Sequence, residues 1–168
     1  GLIWIKKRSA VDNHYVFDSA RSTFDSIIFP NLTDAQIAQN ALDVSSTGFS
    51  FLGPAYNNSG ATYASWTFRK QPKFFDVVTY TGNGVTGAGG GRLVSHSLGS
   101  TPGFIIVKRT DSTGDWFCSS RQTGSTDYIA SDSFYSSYFC LNRTSTGSGT
   151  PGSSIVPNTT QVDVAMMD

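Results

Sequence analysis

Short apolar runs alternate along this chain with longer stretches of hydroxyl residues and glycine. Leu2 to Ile5 and Phe104 to Val107 are apolar at every position and rich in β-branched side chains. That is the pattern of strands buried on both faces, and so central in their sheets. Tyr63 to Phe68 alternates instead, with Tyr63, Ser65 and Thr67 on one side and Ala64, Trp66 and Phe68 on the other. A half-buried strand follows, with Trp66 turned to the core. Phe75 to Tyr80 reads as a further strand, closed by Thr81-Gly82-Asn83-Gly84, where Asn-Gly suits the positive φ of a tight reversal. Thr33 to Leu42 is the one helical candidate, with Thr33 as N-cap and Ile37, Ala41 and Leu42 on one face, and reads as a single short helix or a structured loop. Gly87 to Gly91 reads as a flexible tip and Thr144 to Ser154 as a long exposed loop. The fold class predicted is all-β, with antiparallel β-sandwich or jelly-roll-like units.

The apolar pattern also repeats. Gly1-Leu2-Ile3-Trp4-Ile5-Lys6-Lys7 aligns with Gly103-Phe104-Ile105-Ile106-Val107-Lys108-Arg109, an apolar run ending in a basic pair in both cases. Phe17-Asp18-Ser19-Ala20-Arg21 aligns with Phe117-Cys118-Ser119-Ser120-Arg121, at a spacing changed by two residues, which a turn between strands would absorb. Asn58 to Trp66 and Asn158 to Met166 share a polar turn followed by a strand. Order and near-constant spacing make this a tandem repeat. The units are residues 1–73, a first β-repeat lacking its N-terminal strand or strands, and 74–168, a second and nearly complete one. Such a chain reads as a piece of a longer array.

Composition sharpens the picture. The 24 Ser, 18 Thr and 17 Gly make up about a third of the chain and suit strands and turns, since hydroxyl side chains compete with helical hydrogen bonds. Aromatic residues at 13% still supply a core. Charged residues are only 14% and sum to zero, so the basic stripe that phosphate neutralisation needs is missing and nucleic acid is not an expected partner. No apolar run is long enough to span a bilayer, and the first residues lack signal-peptide order, so no membrane insertion is expected. Sequons at Asn31, Asn57, Asn142 and Asn158 arise by chance in so Ser/Thr-rich a chain.

Candidate chemistry is sparse. Cys118 and Cys140, 22 residues apart, are open to one disulfide or to two separately buried thiols. Neither His14 nor His96 sits in a catalytic or metal-binding motif, and His96 reads as a turn residue that bonds the loop backbone. Asp111, Asp115, Asp127 and Asp132 could supply oxygen ligands to Ca²⁺ but lack the spacing of a known loop, so solvated turn acids are the expected reading and no cofactor is assigned. Glu is absent, so a polysaccharide hydrolase would have to draw its acid pair from Asp alone, and nothing in the sequence singles out such a pair. Trp116, Tyr128, Tyr135 and Tyr138 are the candidates for stacking on a sugar, weighed against ordinary core packing.

Three segments carry a family resemblance: Phe74 to Gly84, the turn and strand His96-Ser97-Leu98-Gly99-Ser100-Thr101-Pro102-Gly103-Phe104 through Arg109, and Gly60 to Trp66. Together they resemble a repeated module of unassigned function found in tail-fibre-like and other virion proteins of phages, notably marine ones. The resemblance implies tandem units with a sandwich of the concanavalin or laminin-G kind. It departs at the end, where Val162-Asp163-Val164-Ala165-Met166-Met167 stands in place of an aromatic-rich last strand. The function it implies is a non-enzymatic structural module of a phage tail fibre or other virion appendage, on the surface of the particle. A host-glycan-binding module of the same appendage is the alternative. The partners implied are further copies of the chain, a trimer first, together with other virion proteins and, in the alternative, a host surface glycan.

Overall fold

A computed structural model of the chain describes residues 1–84, 92–120, 137–143, 147–148, 156–157 and 159–163. These residues form short strands and two single 3-10 turns, Ser22–Phe24 and Pro54–Tyr56, with no α-helix among the described residues. The fold is all-β, made of several small antiparallel sheets. The described strands do not assemble into a clear sandwich.

In the first unit β1 (Leu2–Lys7) lies between β2 (His14–Asp18) and β7 (Tyr63–Phe68), as expected for a central strand. Leu2 faces Asp18 on one side and Phe68 on the other, and Trp4 faces Val16 and Trp66. Residues directly opposite one another share a face. Ile3, Ile5, Tyr15 and Phe17 therefore point one way, onto a core completed by Ile27, Phe29, Ala41, Leu42 and Tyr56. Tyr15, Phe17 and Phe51 meet Tyr56 there ring to ring. Leu2, Trp4, His14, Val16 and Trp66 point the other way. β1 is thus fully buried on one face only, Ile3 and Ile5, and partly covered on the other. Trp66 is 48% exposed and does not enter the core: it touches the edge of Trp4 and is otherwise open.

Thr33 to Leu42 is not a helix. β4 (Ile37–Ala38) pairs with β3 (Ser26–Ile27), and Leu42 opens β5 (Leu42–Val44), which pairs with β6 (Phe49–Phe51). The backbone groups a helix would use are taken elsewhere: Thr33 O accepts from Gly114 N, Gln39 N donates to Asp25 O, and Gln36 N, which a Thr33 cap would engage, donates to Thr110 O. Tertiary pairing overrides a weak local preference.

Phe75 to Tyr80 is not a strand either. Phe75 makes a single bridge to Gln71 across a tight turn, and residues 76–84 carry no ladder. The Asp76 carboxylate anchors this segment through its side chain, pairing with Lys70 at 2.6 Å and accepting from Ser97 N at 2.7 Å and Ser97 Oγ at 2.8 Å. Gly84 adopts φ +68° but Asn83 does not have a positive φ, and the reversal expected there runs into residues outside the described ones. His96 does bond its loop, with Nδ1 accepting from Leu98 N at 3.3 Å, and Gly99 follows at φ +66°.

In the second unit β9 (Phe104–Lys108) and β10 (Trp116–Ser120) continue through β11 (Ser137–Cys140) to β12 (Gly147–Ser148). β9 is the edge of that sheet among the described residues rather than its centre, with Phe104 50% and Ile106 39% exposed. Its inner side chains, Ile105 and Val107, pack on Val94 and Val162. These two come from β8 (Leu93–Ser95) and β14 (Gln161–Asp163), which pair with each other, while β13 (Val156–Pro157) flanks β14. The long loop expected over Thr144 to Ser154 is interrupted by strand β12, and its other residues lie outside the described ones, as does the tip at 87–91.

Candidate functional site at the junction of the two units

Strand register shows how alike the units are. Phe104 faces Ser120 and Lys108 faces Trp116, as Leu2 faces Asp18 and Lys6 faces His14, so one shift of 102 positions carries both strands of the hairpin. The two hairpin loops are therefore equal in length, and the two-residue adjustment expected in this turn does not exist. Phe117 occupies the ladder position of Tyr15, not of Phe17. A slip of two keeps every side chain on its own face, which is why the shorter alignment looked sound. The third match fails at its partner, since β7 pairs with β1 whereas β14 pairs with β8.

The hairpins share a set of hydrogen bonds. Lys6 Nζ donates to Asp12 O at 2.8 Å, and Lys108 Nζ to Gly114 O at 2.9 Å. Asn31 Oδ1 accepts from His14 N and its Nδ2 donates to Asn13; Asn142 Oδ1 accepts from Trp116 N and its Nδ2 donates to Asp115. Each asparagine follows a strand-like bridge, Val16 with Ile28 and Cys118 with Phe139, and each is followed by a tight turn, Leu32 N to Phe29 O and Arg143 N to Cys140 O. Asn31 and Asn142 therefore clamp equivalent corners. The signal was present in Asn31-Leu32-Thr33 and Asn142-Arg143-Thr144, two of the four sequons.

The hairpin end of the second unit is plugged into the first. Trp116 is 5% exposed and lies with Leu141 against Leu2, Trp4, Val16 and Ile28, the outer face of the first unit's sheet. Its indole N–H donates to Phe29 O at 2.9 Å, so the one polar atom of the ring is satisfied inside the contact. Around it, Gln36 N donates to Thr110 O, Gly114 N to Thr33 O, and Lys108 Nζ to Thr33 O. Burying such an aromatic is worth about 1.5–3 kcal/mol, and its hydrogen bond about 1 kcal/mol more.

The same ladder position in the first unit holds His14. Its Nδ1 accepts from Trp4 Nε1 at 3.0 Å, and the rings meet edge to face. Partial burial, and then the charge of Lys6, lower its pKa from the ordinary value. Of the residues proposed for sugar stacking, Trp116 alone has a described side chain. Trp116 is interior to the joint, Tyr138 lies in β11 with its side chain outside the described residues, and Tyr128 and Tyr135 lie outside them altogether.

Asp111 pairs with Arg109, while Asp115 holds Asn142 and Arg143. Both carboxyls sit below the usual range because of those partners, Asp111 through Arg109 first and Asp115 through Asn142 first. Asp127 and Asp132 lie outside the described residues, among which no cluster of three potential metal ligands occurs. Cys118 and Cys140 are separate buried thiols, and burial pushes Cys118 up to about 12, far from a reactive thiolate. An open depression of about 420 Å³ beside Phe24, Leu42 and Leu52 carries Asp25 and Asp43 without a basic side chain in its lining.

The described contacts at this junction join the two units through an apolar plug and backbone hydrogen bonds. No curated protein and no solved structure matches the chain. A family model described as a domain of unknown function, DUF7483, matches residues 1–74 and again 70–163. The chain belongs to that family, as two of its domains in tandem.

Proposed function

We propose that the chain is a non-catalytic structural segment of a phage virion appendage, such as a tail fibre, in which docked β-units supply length and stiffness on the outside of the particle. The observation that carries this reading is the plug of Trp116 in the outer face of the first unit. A linker-tethered pair of binding domains has no need to bury an indole between its members, whereas a spacer that transmits force does. The balanced charge and the resemblance to virion modules support the same reading. The appendage brings the chain beside other virion proteins and further copies of itself, with a trimer as the expected assembly.

The test is direct. Mass spectrometry of purified particles should find the peptides of this chain, antibody labelling in the electron microscope should decorate an appendage, and sedimentation of the recombinant chain should give a trimer. Particles lacking the chain, or release of reducing sugar from host polysaccharide by the purified protein, would overturn the proposal.

A second reading, binding of a host glycan by the same appendage, rests on Trp66. This ring is half exposed on the outer face of β7, a flat aromatic surface of the kind that stacks on a sugar ring. A glycan array should then give reproducible hits that Trp66→Ala removes. A blank array leaves the spacer alone.

A further inference from the structure

The junction is not reciprocal. The first unit offers a sheet face, Leu2, Trp4, Val16 and Ile28, and the second offers a hairpin end, Trp116, Leu141 and the Thr110 to Gly114 loop. In a two-fold contact each unit would present both surfaces to the other. The register places Phe104 and Ile106 where the first unit has Leu2 and Trp4, so a two-fold contact would cover them with the first unit's hairpin end. They are instead 50% and 39% exposed, and Val11 at the tip of the first unit's hairpin is fully exposed. The contact is head-to-tail, and such a contact leaves its receiving face open on the unit that supplies the plug.

We propose that the exposed face of β9 carrying Phe104 and Ile106 is the receiving surface for the tryptophan-bearing hairpin end of another copy of this unit, seated as Trp116 is seated on Leu2 and Trp4. Cys118, at the ladder position of Val16, is already buried, so the solvent-exposed part of the face is the outer half on β9, where Phe104 and Ile106 keep 50% and 39% of their surface in water. Phe104 and Ile106 supply apolar surface of the same kind as Leu2 and Trp4. The occupant must carry an aromatic plug at the position of Trp116. The first unit's own hairpin end is a poor one, because His14 stands there with its ring engaged by Trp4. A unit of the second kind therefore fits this face, and a unit of the first kind does not.

The inference deepens the structural reading above. Its test addresses the joint rather than location in a particle, so either can fail alone. The full chain is extended by a second copy of residues 70–163, and Ile106→Cys reports on the face through its rate of maleimide labelling, with the unsubstituted chain as control for Cys118 and Cys140. In the 168-residue chain position 106 should label readily. In the extended chain labelling should slow by about tenfold or more, as closure of an exposed site demands. Replacing the added copy's tryptophan by alanine should restore the fast rate. Equal rates in both chains, slow labelling in the shorter one, or protection that survives loss of the tryptophan would each overturn the proposal. Protection of Phe104 from hydroxyl-radical oxidation in the extended but otherwise unsubstituted chain gives the same reading if Ile106→Cys disturbs folding.

Discussion

His14 and Trp116 occupy one position in two copies of one hairpin, and they do opposite things. The backbone of each is held by an asparagine clamp of the same geometry, so the difference lies in the side chains alone. Trp116 leaves its own unit and becomes part of the neighbour's packing, whereas His14 stays at home as the acceptor for Trp4. A repeat of one backbone pattern becomes directional through one ladder position.

Trp116→Ala breaks that comparison most severely. Loss of a buried tryptophan should cost about 3–5 kcal/mol, and because the ring joins two units the loss should appear as uncoupling. Urea unfolding followed by hydrogen exchange should show the second unit melting ahead of the first. A single unshifted transition would mean that the joint contributes nothing.

Asp18 tests a second difference, since its ladder position in the other unit holds Ser120. Asp18 is 2% exposed and pairs with Arg21 Nε at 2.6 Å, with Ala20 N and Arg21 N also donating to it. Arg21→Met leaves the carboxylate buried without its cation and should cost about 3 kcal/mol. Ser120→Ala should stay within about 0.5 kcal/mol. Equal effects would remove the distinction between the two corners.

The clamps sharpen the likeness instead. Asn31→Ala and Asn142→Ala each remove two side-chain hydrogen bonds, and each should lower stability by about 0.5–1.5 kcal/mol, the part-buried Asn142 more than the exposed Asn31, measured as a shift in denaturation midpoint. If one is silent, the two corners are not equivalent.

What the sequence disclosed was what local pattern controls. The β-class and the central place of Leu2 to Ile5 in its sheet follow from side-chain type alone, whereas the choice between a disulfide and two buried thiols at Cys118 and Cys140 needed the structure. The faces were hidden. An all-apolar run such as Phe104 to Val107 cannot announce that alternate residues stay open at a sheet edge, because exposure depends on which strand lies alongside. Thr33 to Leu42 left a helix open for the same reason, since the groups that hold it unwound include Thr110 and Gly114, more than seventy positions from their partners, together with the nearer Asp25. Trp116 was legible as an aromatic that matters, but its partner, Phe29 O, is a backbone atom and leaves no mark in any pattern. The asparagine clamps could have been read, as N-x-T appears twice at matching corners, had the two units been aligned by ladder rather than by identity.

The mildest test turns on protonation of His14. Trp4 Nε1 carries a hydrogen and can only donate, so Nδ1 of His14 must be unprotonated in the folded chain. Burial and the nearby Lys6 act in the same direction, holding the folded pKa below the ordinary 6.5. Between those two values the unfolded chain binds the extra proton and the folded chain does not, so stability is complete above pH 6.5 and declines as pH falls through that interval. Asp76 and Asp115, whose pKa values are lowered from 3.8 by their hydrogen-bonding partners, contribute stability that is lost only in a more acid range, so the two effects separate. Denaturation midpoints measured at steps from pH 7.5 to 5 should drift downward in the unsubstituted chain. His14→Gln keeps an acceptor for Trp4 without a titrating proton, and should flatten the drift while leaving the midpoint at pH 7.5 little changed. An undiminished drift in that variant would assign the effect elsewhere. Trp116 offers the matching control, because the same position in the second unit holds no titratable group and its substitution should move the midpoint equally at every pH.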